Sequence, residues 1–186
     1  MTTTLTAPAL KEWSAVVHAL LAGRQTVLLR KGGIGEKRFE VAASRFLLFP
    51  TVAHSHAERV RPEHLDLLET AAADSTEDEV VLRAGARVVA AVEVRQPDRL
   101  DEVAPLHIWT ADSVRADRLD FRPRHRLTVL VVSAAPLAEP VRLVRTPDHR
   151  GCSSWVQLPV DPAWAAPVHD DAALDEIATR VRRSVG

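Results

Sequence analysis

The sequence predicts an α+β protein: a mixed, mainly antiparallel sheet with an N-terminal amphipathic helix, two or three further helices and a C-terminal helix. Two observations carry that prediction. The apolar segments run in the order helix, strands, helix, hairpin, helix, strands, helix, without the regular βαβ alternation of a doubly wound sheet. Hydrophobic residues make up 46% of the 186 and charged residues 26%, which is enough apolar material for one real core, so residues 1–186 are read as a single domain.

Taken in order, residues 8–22 read as a helix opened by Pro8 and closed by Gly23, with Leu10, Trp13, Val17, Leu20 and Leu21 on one apolar stripe. Residues 26–30 read as a strand, Gly32-Gly33 as a turn and 38–41 as a return strand. A short apolar strand over 45–49 is expected to stop at Pro50. Leu65, Leu68 and Ala72 give helical spacing to 62–73, and an acidic loop follows at 74–78. Residues 79–83 and 87–95, flanking Ala84-Gly85-Ala86, predict a hairpin. A short helix is expected over 98–104 and another over 111–119, the latter with Thr110 or Asp112 as N-cap. Strands are expected at 127–132, 141–144 and 154–158, and a loop at 159–167. Residues 170–184 close as a helix with acids first and Arg180, Arg182 and Arg183 last, the polarity its dipole favours.

Charge and cysteine content bound the function. Net charge is −1, but it is segregated: +4 over residues 1–60, −7 over 61–112, +4 over 113–150 and −2 over 151–186. Two basic stretches flank an acidic one, so a basic face forms only if folding brings them together. Cys152 is the single cysteine, which excludes an intramolecular disulfide and a cysteine-based zinc cage. The Thr-rich residues 1–8 do not read as a signal peptide, and no apolar run reaches the ~18 residues that span a bilayer. The expectation is a cytoplasmic protein with no membrane partner.

Most motif chemistry is missing. The run Lys31-Gly32-Gly33-Ile34-Gly35-Glu36-Lys37 has the wrong spacing for a phosphate loop, and Arg38 stands where the hydroxyl should be. There is no dinucleotide fingerprint, no His-Glu-x-x-His and no Gly-x-Ser-x-Gly elbow. His54-Ser55-His56 could present two imidazoles on one face if it were a strand, but Pro50 has just ended that strand. The densest basic cluster is Arg115, Arg118, Arg122, Arg124 and Arg126, with His125 inside it and Trp109 and Phe121 interleaved. Aromatics between arginines suit base stacking beside phosphate contacts.

Several segments, read together, carry a family resemblance. They are Ala9-Leu10-Lys11-Glu12-Trp13, Leu28-Leu29-Arg30-Lys31-Gly32-Gly33-Ile34, Phe46-Leu47-Leu48-Phe49-Pro50-Thr51 with His54, His107-Ile108-Trp109-Thr110, Arg118-Leu119 with Arg122-Pro123, and Gly151-Cys152 with Ser154-Trp155-Val156. Over about residues 9–158 the chain resembles the bacterial family known as domain of unknown function 1802. The resemblance implies one family domain with the C-terminal helix as a cap; it implies no substrate, cofactor or catalytic residue.

The polar residues inside these segments suggest a cleft in which Glu12, Lys31 and His54 converge, with Arg118, Arg122 and Trp155 at its rim. The first functional reading is nucleic-acid or nucleotide-phosphate binding through Lys31 and the cluster from Arg118 to Arg126, with Trp109 or Trp155 as the stacking surface. An alternative is a metal-assisted phosphodiesterase or other hydrolase. There Glu12 and His54 serve as divalent-metal ligand or general base, and Lys31 steadies the developing charge. A third reading is a non-catalytic protein-interaction module centred on the acidic loop and exposed tryptophans. The metal, the substrate and the oligomeric state are not legible at this level.

Overall fold

The computed structural model describes residues 5–32, 37–53 and 55–186. Six strands form one sheet: β1 (Ala7–Trp13), β2 (Val27–Lys31), β3 (Arg45–Thr51), β4 (Glu79–Glu93), β5 (Leu127–Val144) and β6 (Trp155–Leu158), in the order β2-β5-β4-β3-β1-β6. Only β1 and β3 run parallel, Leu10 lying opposite Leu48; the other neighbours are antiparallel. The helices are α1 (Ser14–Leu21), α2 (His56–Arg59), α3 (Leu67–Ala72), α4 (Ala111–Val114) and α5 (Asp171–Val185). The expected α+β class, with its mixed and mostly antiparallel sheet and its two terminal helices, is the architecture found.

The first six residues of the expected N-terminal helix, 8–13, belong instead to β1, and the helix starts at Ser14. The reason lies in burial. Leu10 belongs to the large core on one face of the sheet, while Ala7 and Ala9 belong to a smaller core on the other. A strand covered on both faces loses its polar alternation, and its apolar positions then fall by chance on a helical stripe. The strand β3 likewise runs through Pro50, which lies opposite Glu12 of β1. Its ladder with β4 covers only Arg45 to Leu47, so no β4 carbonyl waits for the N–H that proline lacks.

The expected hairpin at Ala84-Gly85-Ala86 is a straight passage of β4, which pairs with β5 on both sides of it. Gly85 serves close packing rather than a turn: a Cβ there would meet the Trp164 ring at 2.1 Å. Register shifts at Leu82/Ala84 and Val88/Ala90 bend the ladder. The strand expected over 38–41 is absent, and β2 pairs with β5 instead; residues 33–36 of the glycine-rich run lie outside the described residues. The segments 127–132 and 141–144 are two ends of the single strand β5, whose Pro136 lies opposite Ala84.

The sheet curls strongly. Three strands separate β1 from β2, yet Arg30 of β2 donates from Nη1 to the Lys11 carbonyl at 3.0 Å and to Glu12 Oε2 at 3.3 Å. The end strand β2 is thus stitched to β1, the strand next to the opposite end, by one guanidinium on the face that holds the larger core. Helices α1 and α3 cover part of that face, joined by the Ser14 hydroxyl, which donates to the Ala71 carbonyl at 2.6 Å. Asp74, 1% exposed, ties them to the sheet: it accepts from Arg83 Nε at 2.8 Å and meets His18 Nε2 at 2.5 Å. So the head of the expected acidic loop is a buried anchor. Helix α5 packs Leu174, Ala178, Val181 and Val185 inward, and Asp170 caps it by accepting from the Ala173 N–H at 2.7 Å. Among the described residues no helix is long and apolar enough to cross a membrane.

Candidate phosphate-binding site

The basic cluster takes its shape from the end of α4. Thr110 caps that helix, accepting from the Ser113 N–H at 3.2 Å, and the chain then widens into a π-helical turn over Arg115–Asp120. The Phe121 N–H closes it on the Ala116 carbonyl at 3.2 Å. Such a turn inserts an extra residue and re-aims the side chains after it. Here it brings Arg118 back onto β2, where Nε donates to the Leu29 carbonyl at 3.2 Å.

Lys31, at the end of β2, pins the chain as it leaves this turn. Its ammonium donates to the carbonyls of Phe121 at 2.5 Å and Arg122 at 3.0 Å. An ammonium carries three N–H donors, and two of them meet these carbonyls among the described residues. Arg122 adopts φ +49°, a left-handed conformation that non-glycine residues seldom hold without reason. The His125 N–H returns to the Arg122 carbonyl at 2.9 Å and the Arg126 N–H reaches the Lys37 carbonyl at 2.8 Å.

The result is a pocket of about 390 Å³ whose polar wall is Lys31, Arg118, Arg124, His125 and Arg126, with Asp98 as its acidic member. Burial, and after it the neighbouring Arg118, holds the Lys31 ammonium below the ordinary lysine pKa, while Asp120 acts the other way. Burial likewise depresses Arg118, and Glu12 opposes that shift. Arg126 pairs with Glu93 at 2.5 Å. Arg122 and Arg124 have no carboxylate within ion-pair distance among the described residues.

The other predicted residues are distributed differently. Glu12 is 4% exposed, and its carboxylate accepts from the Trp13 N–H at 2.9 Å and from Arg30. The partner expected at Lys31 is therefore its neighbour Arg30. His54 lies outside the described residues. His56, two positions on, stacks on Trp13 at 3.9 Å, and burial, helped by Arg59, lowers its pKa to about 4. Trp109 is 6% exposed and meets Trp13 edge-on at 4.7 Å. Trp155 packs against Phe39 and Phe46 and donates from Nε1 to the Glu40 carbonyl at 3.1 Å. Of the two, Trp109 is buried and Trp155 is half-buried. Among the described residues no three His, Cys, Asp or Glu side chains gather as a metal cage. Arg30 escaped the sequence reading; its signal was a charge following the apolar run Val27-Leu28-Leu29 in the same strand.

The chain matches the family described as a domain of unknown function (DUF1802) over residues 9–180. That span continues past 158 into α5, so most of the closing helix lies within the family match. No curated protein matches it. Among solved structures it is similar to ASCH from Zymomonas mobilis, with TM-score 0.44 and 13% identity, covering 72% of this chain and 71% of that one. It is also similar to a serine-to-alanine mutant of that protein, with TM-score 0.45, 14% identity and 72% of both chains covered.

Proposed function

The chain belongs to the family described as a domain of unknown function, DUF1802, and for this member we propose binding of nucleic acid or another phosphate-bearing ligand in the pocket of Lys31, Arg118, Arg124, His125 and Arg126. The observation that carries this reading is the convergence itself. Lys31 comes from the first basic stretch of the sequence and the arginines from the second, and both line one pocket. A chain of net charge −1 thereby gains a local positive field, which attracts phosphate irrespective of the overall balance. Arginine forks suit phosphate oxygens bidentately, and the Lys31 ammonium adds a point charge at the pocket wall.

The hydrolase alternative needs Glu12 as a base or metal ligand. Its carboxylate is engaged by Arg30 and the Trp13 N–H, and Lys31 is turned to the 121–122 carbonyls; both facts favour binding over hydrolysis. The interaction-module alternative leaned on the acidic loop, whose Asp74 is buried against His18 and Arg83.

Fluorescence anisotropy with short labelled oligonucleotides, titrated with salt, tests the proposal. Binding is expected whose log K falls linearly with log salt, at about −0.7 per phosphate contacted on a single strand. The double variant Arg122→Glu/Arg124→Glu is expected to remove it. Absence of binding at low salt, where surface electrostatics is strongest, refutes the proposal.

A further inference from the structure

The pocket has an aromatic neighbour placed unlike every other aromatic in the molecule. The chain has four tryptophans, four phenylalanines and no tyrosine. Phe39, Phe46, Phe49 and Trp109 are buried, and Trp13, Trp155 and Trp164 are half-buried against other side chains. Phe121 alone is exposed, at 57%. It is held, not loose: its carbonyl accepts from Lys31, its N–H closes the π turn, and the next residue is the left-handed Arg122. The Arg122 guanidinium lies 5.0 Å from the Phe121 ring centroid.

Resting on the phosphate-binding reading above, we infer that Phe121 is a base-stacking platform and that the ligand is single-stranded nucleic acid. A single exposed phenyl ring is unremarkable by itself; what it sits among decides the matter. Lys31 fixes the backbone that presents the ring and also lines the phosphate pocket, so ring and pocket keep one geometry. Arg122 and Arg124, without carboxylate partners among the described residues, both follow the ring in sequence and supply charges for phosphates on that side of it. A phenyl face beside a basic track accepts any unstacked base. A duplex keeps those faces inside its stack and offers phosphates and base edges instead. The Arg122 guanidinium lies over one face of the Phe121 ring, a cation–π contact that sets a positive charge at the platform.

The test compares one labelled 12-nucleotide strand with its duplex, using the full chain and the variants Phe121→Ala and Phe121→Trp. Because the ring is exposed, both variants are expected to fold, which thermal melting checks. Phe121→Ala should lose about 5- to 150-fold in single-strand affinity with the salt slope unchanged, and Phe121→Trp should restore it with its fluorescence quenched on binding. If the unmodified chain binds the strand and Phe121→Ala binds it equally well, the platform is wrong while phosphate binding stands. Duplex bound as tightly as single strand also overturns the inference. No binding of either at low salt overturns both readings together.

Discussion

Replacing Arg30 by alanine asks whether one side chain closes the curl of the sheet. The guanidinium is 14% exposed and its Glu12 partner 4%. Its loss leaves a nearly buried carboxylate with the Trp13 N–H at 2.9 Å and frees the Lys11 carbonyl. Removing one partner of a buried pair costs about 3–5 kcal/mol. The residual exposure of Arg30 and the 3.3 Å separation place this case near the lower end. The freed carbonyl adds about 1 kcal/mol, and the lost stacking of Arg30 over Phe39 at 5.2 Å adds about 0.5 kcal/mol or more. The expected total is about 4.5 kcal/mol, read by urea unfolding, and a fall in melting temperature of about 9–18 °C. The double variant Arg30→Met/Glu12→Met should recover most of the loss, because it strands no charge. A single variant within about 0.5 kcal/mol of the parent chain, the range of an ordinary surface substitution, would show that the seam is held by something else.

Two further predictions concern the core and acid. Gly85→Ala pushes a methyl into the Trp164 ring at 2.1 Å; a loss of about 1–3 kcal/mol is expected from overpacking, and an unchanged unfolding midpoint would contradict it. Burial first, then nearby Arg61, Arg118 and His64, lowers the His107 pKa to about 3, and that of His56 lies at about 4, against an ordinary 6.5. Below pH 6.5 the unfolded chain takes up protons that the folded chain refuses. The stability these imidazoles contribute is thus complete above pH 6.5 and falls as pH drops toward 4 and then 3, by at most about 1.4 kcal/mol per pH unit for each. Urea midpoints at about pH 7.5 and about pH 5 check the sign, and His107→Gln should flatten the difference.

The parts legible in the sequence are those fixed by local chemistry. Thr110 announces its cap, and α5 shows its charge polarity. What escaped depends on neighbours remote in the chain. Gly85 looks like a turn until Trp164 is seen to occupy the space above it, and β1 looks like a helix because two cores bury its two faces. The site divides the same way. Lys31 and the arginines were visible as a pattern of charge, and they do share a pocket. Which aromatic stays exposed was not visible, because exposure is settled by packing: Trp109 fills the core beside Trp13, while Phe121 stands outside. Glu12 stood out as a polar residue in an apolar segment, and the cause is its pairing with Arg30 across the seam.

The place of β1 in the sheet also sets when the molecule can be finished. Leu10 pairs with Trp155, far along the chain, and β1 has β3 on its other side. During synthesis at about 5–20 residues per second, one edge of β1 therefore waits for about 7–30 seconds before its last partner leaves the ribosome. Until then its backbone donors and acceptors are available to strangers, and an unpaired strand edge is a template for aggregation. Long-range pairing of this kind slows folding as well. The ribosome-bound chain is thus expected to be most vulnerable late, between completion of β5 and arrival of β6, when the sheet is nearly built and one edge of its first strand is still open.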